Sequence, residues 1–148
     1  MEIKEIKENK KIFLPLLLLA DEQESMIDRY LDRGIMFALY EENDVKSICV
    51  ITDEGDNVLE IKNIATKPDS QGKGYAKTLI KYIEENFKHK YSVLKVGTGD
   101  SPLTIPFYEK CGFVKFDKIK NFFIDNYDHP IYECGVQLVD MIYLKKDI

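Results

Sequence analysis

The chain has 148 residues, of which 45% are hydrophobic and 32% charged, and its formal net charge is −5 with a pI near 5.1. This length and composition exclude a disordered chain and predict one domain over residues 1–148. The acidic balance argues against a nucleic-acid binder, which needs a basic face, and it fits weakly with a cationic substrate.

The cysteine, histidine and apolar patterns exclude further classes. The chain has three widely spaced cysteines, Cys49, Cys111 and Cys134, without a C-x-x-C pair, and only two histidines, His89 and His129. This spacing predicts neither a metal site nor a disulfide framework. The longest apolar run, residues 12–20, contains a proline and is shorter than the roughly 20 residues that cross a bilayer. No small-residue cleavage pattern follows the run, so we interpret it as a core segment of a cytoplasmic protein.

The N-terminal part of the chain predicts one strand and two helices. Residues 1–6 alternate loosely between apolar and charged side chains and are expected to form the first strand. A short helix is predicted over residues 10–20, with Pro15 acceptable only near its start. A second helix is predicted over residues 21–31, with Asp21 as its N-terminal cap.

Three strands and a helix are predicted next. Residues 35–40 and 45–52 are β-type runs separated by polar turn residues, which indicates a hairpin. A second turn leads into a central strand over residues 58–66, so we expect three consecutive antiparallel strands. The following apolar positions have helical spacing and predict a helix that packs on the sheet by one face: Ala76, Leu79, Ile80, Ile83 and Phe87.

A glycine-rich loop joins the central strand to this helix. Its sequence is Gln71-Gly72-Lys73-Gly74-Tyr75-Ala76. Small residues before a helix let backbone N–H groups converge on an anion, and the helix start adds its unsatisfied amides. The loop is not a P-loop, because Tyr75 follows the last glycine, and it is not a dinucleotide fingerprint, because Lys77 takes the third glycine position. The alternative is a surface turn with chance glycines.

The C-terminal half predicts further strands around one short helix. Residues 92–98 are an apolar run that should lie parallel to the central strand, because a helix connects the two. A short helix is predicted over residues 103–110 and a strand over residues 113–116. Residues 121–134 form a polar and aromatic excursion, and residues 136–144 predict the last strand.

Two motifs resemble the GNAT family of N-acetyltransferases. The first is the loop pattern Q/R-x-x-G-x-G/A, present as Gln71, Gly74 and Ala76, and the second is Phe-Tyr-Glu-Lys-Cys-Gly-Phe over residues 107–113. The resemblance implies an α/β (α+β) fold with a single mixed sheet of about six to seven strands flanked by helices. It also implies direct transfer of an acetyl group from acetyl-coenzyme A (acetyl-CoA) to a primary amine of a small molecule or protein, without a metal.

The resemblance further implies a cofactor site. The amides of the loop would hold the pyrophosphate, with Lys73 at the rim, and the end of the central strand would pair with the pantetheine arm. The Ala65 N–H would face the thioester oxygen, as an oxyanion donor. The implied cofactor-binding residues are Ile64, Ala65, Thr66, Gln71, Gly72, Lys73, Gly74, Tyr75, Ala76 and Ser101. Ser101 and Thr104 depart from the asparagine and alanine that many family members have there, which puts the cofactor geometry in doubt.

Two residues are the catalytic candidates. Tyr108 matches the family's general acid, which protonates the departing thiolate, and Glu60 is the candidate base, acting through water. The alternatives are an aromatic core residue for Tyr108 and a solvent-facing carboxylate beside Lys62 for Glu60. Cys111 is expected to be a packed thiol rather than a nucleophile, and His129 a loop residue.

The sequence therefore predicts an N-acetyltransferase that uses acetyl-CoA and an amine. A non-catalytic acyl-CoA-binding or regulatory domain of the same fold is the alternative. A third hypothesis is a structural partner-binding domain in which the glycine loop is only a turn, and it predicts no affinity for coenzyme A. The sequence does not identify the acceptor amine. Nucleic acid and membrane are not expected as partners. A homodimer is possible by the family resemblance, but no segment of the sequence indicates one.

Overall fold

A computed structural model describes residues 1–148. Seven strands form one mixed sheet in the order β1-β2-β3-β4-β5-β9-β6, and two short strands form a separate hairpin. The strands are β1 (Glu2–Ile6), β2 (Ile35–Glu41), β3 (Asp44–Asp53), β4 (Val58–Thr66), β5 (Val93–Gly99), β6 (Val114–Ile119), β7 (Tyr132–Glu133), β8 (Val136–Gln137) and β9 (Met141–Asp147). The helices are α1 (Leu14–Ala20), α2 (Glu24–Ile27), α3 (Tyr75–Phe87), α4 (Thr104–Lys110) and α5 (Phe122–Asn126), with single 3-10 turns over Lys10–Phe13 and Pro68–Ser70. The predicted mixed sheet flanked by helices is confirmed.

The N-terminal helices differ from the prediction at one place. Pro15 lies in the first turn of α1, as expected, because a 3-10 turn precedes the helix. The predicted second helix is wrong in its bounds, since α2 is one turn long and has Gln23 at its N-cap position. Asp21 is instead the C-terminal cap of α1, where its N–H donates to the Leu17 carbonyl oxygen, and its carboxylate accepts hydrogen bonds from two tyrosines.

Two residues stabilise the turns that follow α2: Lys10 forms hydrogen bonds to them, and Gly34 allows close packing because it has no side chain. The Lys10 ammonium donates to the carbonyl oxygens of Leu31 at 2.9 Å and Gly34 at 2.7 Å. A Cβ atom at Gly34 would lie 2.6 Å from Val50 Cγ1 and 3.0 Å from the Tyr30 carbonyl oxygen. Glycine is thus required here for space, at the entrance to β2.

The central strands pair as the sequence predicts. β2 and β3 form an antiparallel hairpin whose two turn residues, Glu42 and Asn43, have positive φ of 52° and 64°. β3 pairs antiparallel with β4, and β4 pairs parallel with β5 across the α3 crossover. Asparagine tolerates the left-handed conformation better than most residues, which favours this tight turn.

A β-bulge in β4 redirects its side chains. The partners on β3 shift by one residue between Ile61 and Asn63, which leaves Lys62 as the extra residue. Leu59 and Ile61 pack in the core beside α3, whereas Ala65 packs in the core beside α1. The bulge therefore moves the side chains beyond it to the opposite face of the sheet.

The two parallel strands separate beyond the bulge. β4 pairs with β5 only from Val58 to Ile61, although β4 continues to Thr66. β5 also continues, and its last residues pair with β9 on its other side. A V-shaped opening at the end of the central strand, which the family resemblance implies, is present between β4 and β5.

The C-terminal segment folds over this opening. The single strand predicted over residues 136–144 is wrong, because it divides into β8 and β9. Between them Leu138 packs against Gly99, where a Cβ atom would lie 2.6 Å from Leu138 Cδ1. Leu138 forms a small apolar cluster with Phe123 and Ile131. No helix in the structure has the length and apolar composition that a membrane span needs.

Gly34→Ala is expected to lower the free energy of unfolding by about 1–3 kcal/mol, because the added methyl group overlaps Val50 and backbone oxygens. Urea denaturation followed by circular dichroism measures this change. Asp32→Ala, at an exposed position in the same turns, is the matched control and should stay within about 0.5 kcal/mol of the wild type. Equal stabilities of the two variants would contradict the packing at Gly34.

Candidate active site

A cleft with a volume of about 390 Å³ lies where β4 and β5 separate. Residues 61–66 of β4 form one wall and residues 96–99 of β5 form the other. Tyr108 of α4 and residues from the C-terminal segment, including Tyr127 and Glu133, complete the lining. The cleft thus combines a strand edge, an aromatic hydroxyl and carboxylates.

Backbone pairing fixes which peptide groups of β4 face the cleft. The Lys67 N–H donates to the Lys46 carbonyl oxygen on β3 at 2.9 Å, and Ala65 lies opposite Ile48. Hydrogen-bonded positions alternate along an antiparallel pair, so the Ala65 peptide group also faces β3. The Ser47 hydroxyl donates to the Ala65 carbonyl oxygen at 2.8 Å, in agreement with this orientation.

The free edge of β4 therefore belongs to Ile64 and Thr66, whose N–H and C=O groups point away from β3. This pairing disfavours the expected oxyanion role of the Ala65 N–H, because that group faces the neighbouring strand. The cleft still contains all three residues of the predicted pantetheine segment. An extended, amide-containing ligand arm can pair with such an edge as an added strand does.

The glycine loop leaves its backbone amides free. Gly72 and Gly74 have φ of 77° and 85°, a conformation that residues with a Cβ atom rarely adopt, and nothing lies within 4 Å of an added Cβ. The N–H groups of residues 71–74 donate to no backbone carbonyl. Gly74 is the N-cap of α3 and provides no side-chain cap. Gln71 lines the cleft and donates to the Thr66 carbonyl oxygen at 3.3 Å, which joins the loop to β4.

Tyr108 lies in α4, with 6% of its surface exposed, and lines the cleft. Its ring packs edge-on against Phe107 and Phe113, with centroid distances of 5.2 and 5.7 Å. Burial raises the pKa of the Tyr108 hydroxyl above its ordinary value, and nearby ionisable groups, including Glu133, add to the rise. The hydroxyl is therefore protonated at neutral pH and is available as a hydrogen-bond and proton donor in the cleft.

Glu60 lies outside the large cleft. It lines an adjoining pocket of about 180 Å³ and is only 4% exposed, so the solvent-facing alternative is wrong. Its carboxylate oxygens lie 2.9 Å from the Lys62 ammonium and 3.5 Å from that of Lys95. Two ammonium groups thus balance the buried charge of Glu60.

Ser101 is buried and does not line the cleft. Its hydroxyl oxygen accepts a hydrogen bond from the Leu103 N–H at 3.1 Å, which shapes the turn before α4. The Ser101 side chain lies near the Glu133 carboxyl group and lowers its pKa against the effect of burial. Contact of Ser101 with the pantetheine arm stays a prediction, and the structure supports an indirect role for it through the turn.

Two carboxylates of the cleft were missed by sequence reasoning. Glu133 lies on β7, is half-buried, and has a pKa that burial raises. Asp21 has a pKa that burial also raises, against the effect of hydrogen bonds from Tyr127 and Tyr30. Neither has a sequence signal, because Glu133 lies in a segment without a motif and Asp21 has the pattern of a helix cap.

The two other candidates behave as expected. Cys111 is half-buried, and burial raises the pKa of its thiol, which disfavours a thiolate nucleophile. His129 is exposed and pairs with its neighbour Asp128. The structure contains no group of three or more His, Cys, Asp or Glu side chains arranged to hold a metal ion.

Comparison with known proteins decides the family. The sequence model described as the acetyltransferase (GNAT) domain matches residues 32–115. The chain belongs to the GNAT family of acetyltransferases. An uncharacterised N-acetyltransferase of Bacillus subtilis, YvbK, is 35% identical over 135 residues, which cover 90% of this chain and 87% of the relative.

Solved structures of GNAT proteins have the same fold. A GNAT family acetyltransferase from Elizabethkingia anophelis, crystallised with acetyl-CoA bound, superposes with a TM-score of 0.93 and 36% identity, over 99% of this chain and 97% of its own. A Bacillus subtilis acetyltransferase in complex with CoA gives a TM-score of 0.89 and 33% identity, over 99% and 98% of the two chains. The protein is therefore an acetyltransferase that uses acetyl-CoA, and the free amides and open strand edge fit this substrate.

Gly74→Val is expected to weaken acetyl-CoA binding at least about tenfold, or 1.4 kcal/mol, because a β-branched residue resists positive φ and would displace the loop amides. Calorimetric titration of the purified protein with acetyl-CoA measures the affinity. The matched control is Gly55→Val, since Gly55 also has positive φ, at 82°, with open space around it, but lies in the β3–β4 turn. Equal weakening by both variants would mean that general destabilisation, and not the loop, controls binding.

Proposed function

We propose that the whole chain is one N-acetyltransferase domain that transfers the acetyl group directly to a primary amine. The location of Tyr108 in the same cleft as the free edge of β4 carries this proposal. A direct transfer needs the amine, the thioester and the acid in one cavity. Strands from both ends of the chain join the one sheet, which supports a single domain.

The chemistry assigned to the chain has three parts. The loop amides hold the pyrophosphate, and the Ile64 and Thr66 peptide groups pair with the pantetheine arm. An N–H on this edge, at Ile64 rather than Ala65, stabilises the charge that develops on the thioester oxygen. As the amine nitrogen bonds to the carbonyl carbon and the carbon–sulfur bond breaks, Tyr108 gives its proton to the sulfur.

A carboxylate takes the proton that the amine nitrogen loses. Glu60 is the base that the sequence proposes, but it lines the smaller pocket and is paired with two lysines. Glu133 shares the larger cleft with Tyr108 and has no ion pair with a lysine or arginine. Burial raises the pKa of Glu133, which brings it closer to neutral pH and makes it a better base. These contacts support Glu133 over Glu60.

The charge of the cleft favours a cationic acceptor. The acidic and basic side chains that line the larger cleft are three carboxylates and one lysine: Asp21, Glu22, Glu133 and Lys62. The lysine is paired with Glu60. The cleft thus presents net negative charge, which attracts an ammonium group before it is deprotonated for attack.

The cellular setting is part of the same proposal. The three cysteines are all free, which fits a reducing compartment such as the cytoplasm. The net charge of −5 disfavours nucleic acid as a partner. A homodimer stays a hypothesis for measurement in solution.

Tyr108→Phe is expected to lower kcat by about 10²–10⁴-fold and to leave acetyl-CoA affinity almost unchanged, because the ring stays and only the proton donor is lost. Release of free CoA, measured against amine concentration, gives kcat, and calorimetry gives the affinity. Tyr82→Phe is the control, since its ring packs on Phe37 at a centroid distance of 5.3 Å outside the cleft. Equal loss of binding and turnover in Tyr108→Phe would favour the core role.

Glu133→Gln is expected to lower kcat/KM for the amine by about 10²-fold or more and to remove the loss of rate at low pH. A base must be ionised, so the wild-type rate should fall as the pH drops through the raised pKa of Glu133. The acid must be protonated, and since burial raises the pKa of Tyr108, the alkaline loss should begin above pH 10, its ordinary pKa. The pH profile of kcat/KM measures both limbs.

Glu60→Gln is the matched comparison, with the same change of chemistry in the neighbouring pocket. It should lower the free energy of unfolding, because Lys62 and Lys95 lose their ion pairs, but the fall of kcat/KM at low pH should remain. If the limb disappears in Glu60→Gln and persists in Glu133→Gln, Glu60 is the base.

A further inference from the structure

Asp21 lies where the larger cleft and the smaller pocket meet, because it lines both. Tyr30 donates its hydroxyl hydrogen to Asp21 Oδ2 at 3.0 Å, and Tyr127 donates to Oδ1 at 2.6 Å. These tyrosines come from distant parts of the chain, the turns after α2 and the segment after α5. The tertiary fold thus holds one carboxylate in a fixed orientation.

The hydrogen bonds around Asp21 have a defined direction. Asn63 Nδ2 donates to the Leu17 carbonyl oxygen at 3.0 Å and to the Tyr30 hydroxyl oxygen at 3.1 Å. Because a carbonyl oxygen only accepts, the contact with Leu17 fixes the orientation of the Asn63 amide. Tyr30 therefore accepts from Asn63 and donates to Asp21.

This direction leaves an acceptor without a donor. Asn63 is 3% exposed and lines the larger cleft, and its Oδ1 atom is buried with no hydrogen-bond partner. An unsatisfied buried acceptor costs about 1–3 kcal/mol unless a ligand or water supplies a donor. Asp21 and Asn63 Oδ1 both accept only, so a ligand that completes the site must bring N–H or O–H groups.

The charge and aromatic surroundings favour N–H groups on a cation. Asp21 forms no ion pair. Of the two arginines that line the smaller pocket, Arg29 donates to Asn126 Oδ1 at 3.2 Å and Arg33 is paired with Glu54. Tyr127 lies beside the carboxylate and stacks on Phe123, with centroids 5.5 Å apart. An aromatic face next to a carboxylate binds ammonium groups by charge and by cation–π attraction.

We propose that Asp21, Asn63 Oδ1 and the ring of Tyr127 bind a second ammonium group of the acceptor, so that the acceptor is a diamine or a longer polyamine. This inference rests on the proposed acetyl transfer. The reacting amine lies at Tyr108, which lines only the larger cleft, whereas Asp21 lies at the junction with the smaller pocket. The distal ammonium group supplies the donor that Asn63 Oδ1 lacks and the positive charge that the Asp21 carboxylate lacks.

Three amines with a four-carbon chain test the proposal: 1,4-diaminobutane, butylamine and 4-aminobutanoate. The wild type is expected to acetylate the diamine with a kcat/KM at least about tenfold above butylamine, and 4-aminobutanoate least well. Asp21→Asn should lower kcat/KM for the diamine by about 10–100-fold and for butylamine by less than about threefold. Release of free CoA gives all the rates.

Two further variants separate the subsite from general effects. Glu22→Gln removes a charge from the same cleft outside the hydrogen-bonded group, and it should lower the ratio of kcat/KM for the diamine to that for butylamine less than Asp21→Asn does. Tyr127→Phe keeps the ring and loses the donor to Asp21, so it should reduce the preference for the diamine less than Asp21→Asn does. If Asp21→Asn does not fold, the preference for the diamine over butylamine in the wild type and in Tyr127→Phe still tests the proposed subsite.

The outcomes distinguish this inference from the proposed function. Failure of the wild type to bind acetyl-CoA in calorimetry would remove the acetyl transfer itself. Binding and turnover with butylamine equal to the diamine, or with 4-aminobutanoate preferred, would overturn the second-ammonium subsite and leave the acetyl transfer in place. If no amine is acetylated, titration of the CoA-saturated protein with the diamine decides, and absence of binding overturns the subsite.

Discussion

The active-site cleft exists because β4 and β5 stop pairing while both strands continue. Backbone N–H and C=O groups removed from water ordinarily find partners, so an open strand edge inside a domain is costly. Here β3 holds β4 as far as Thr66, and β9 holds β5 as far as Gly99. Each strand is therefore anchored on its outer side, and the amides of an extended ligand can take the place of the missing strand.

The bulge at Lys62 determines which face of the sheet each side chain of β4 occupies, and therefore which of the two apolar cores, beside α3 or beside α1, it joins. If β4 were a regular strand through Lys62, Asn63 would share the face of Ile61 and point into the apolar core beside α3, where its amide would find no donor or acceptor. With the bulge, Asn63 reaches the Leu17 carbonyl and Tyr30 on the opposite face. The bulge conformation thus determines whether the Asn63 amide is buried without partners or is part of the site.

The elements that the sequence predicts correctly are those whose structure depends on residues nearby in the chain. The glycines of the loop need positive φ, the apolar face of α3 repeats with the helical period, and the β2–β3 turn has its own residues, so each could be predicted from nearby residues. The predictions that are wrong concern residues whose contacts lie far away in the sequence. Asp21 has a cap's pattern, but two tyrosines hold its carboxylate, one of them 106 residues away. The strand predicted through Leu138 divides because that side chain packs on Gly99, and the role of Glu133 depends on a cleft that no local pattern describes.

These departures from local rules coincide in space. A carboxylate without an ion pair, a buried asparagine oxygen without a donor and a strand edge without a partner all belong to residues that line one cleft. Each would reduce stability if it were isolated, and a stable domain tolerates such groups where a ligand completes them. The pantetheine arm can complete the strand edge, but it brings no cation to Asp21. In the proposed site the other substrate supplies a cation to Asp21 and a donor to Asn63 Oδ1, and this complementarity connects the fold to the choice of amine.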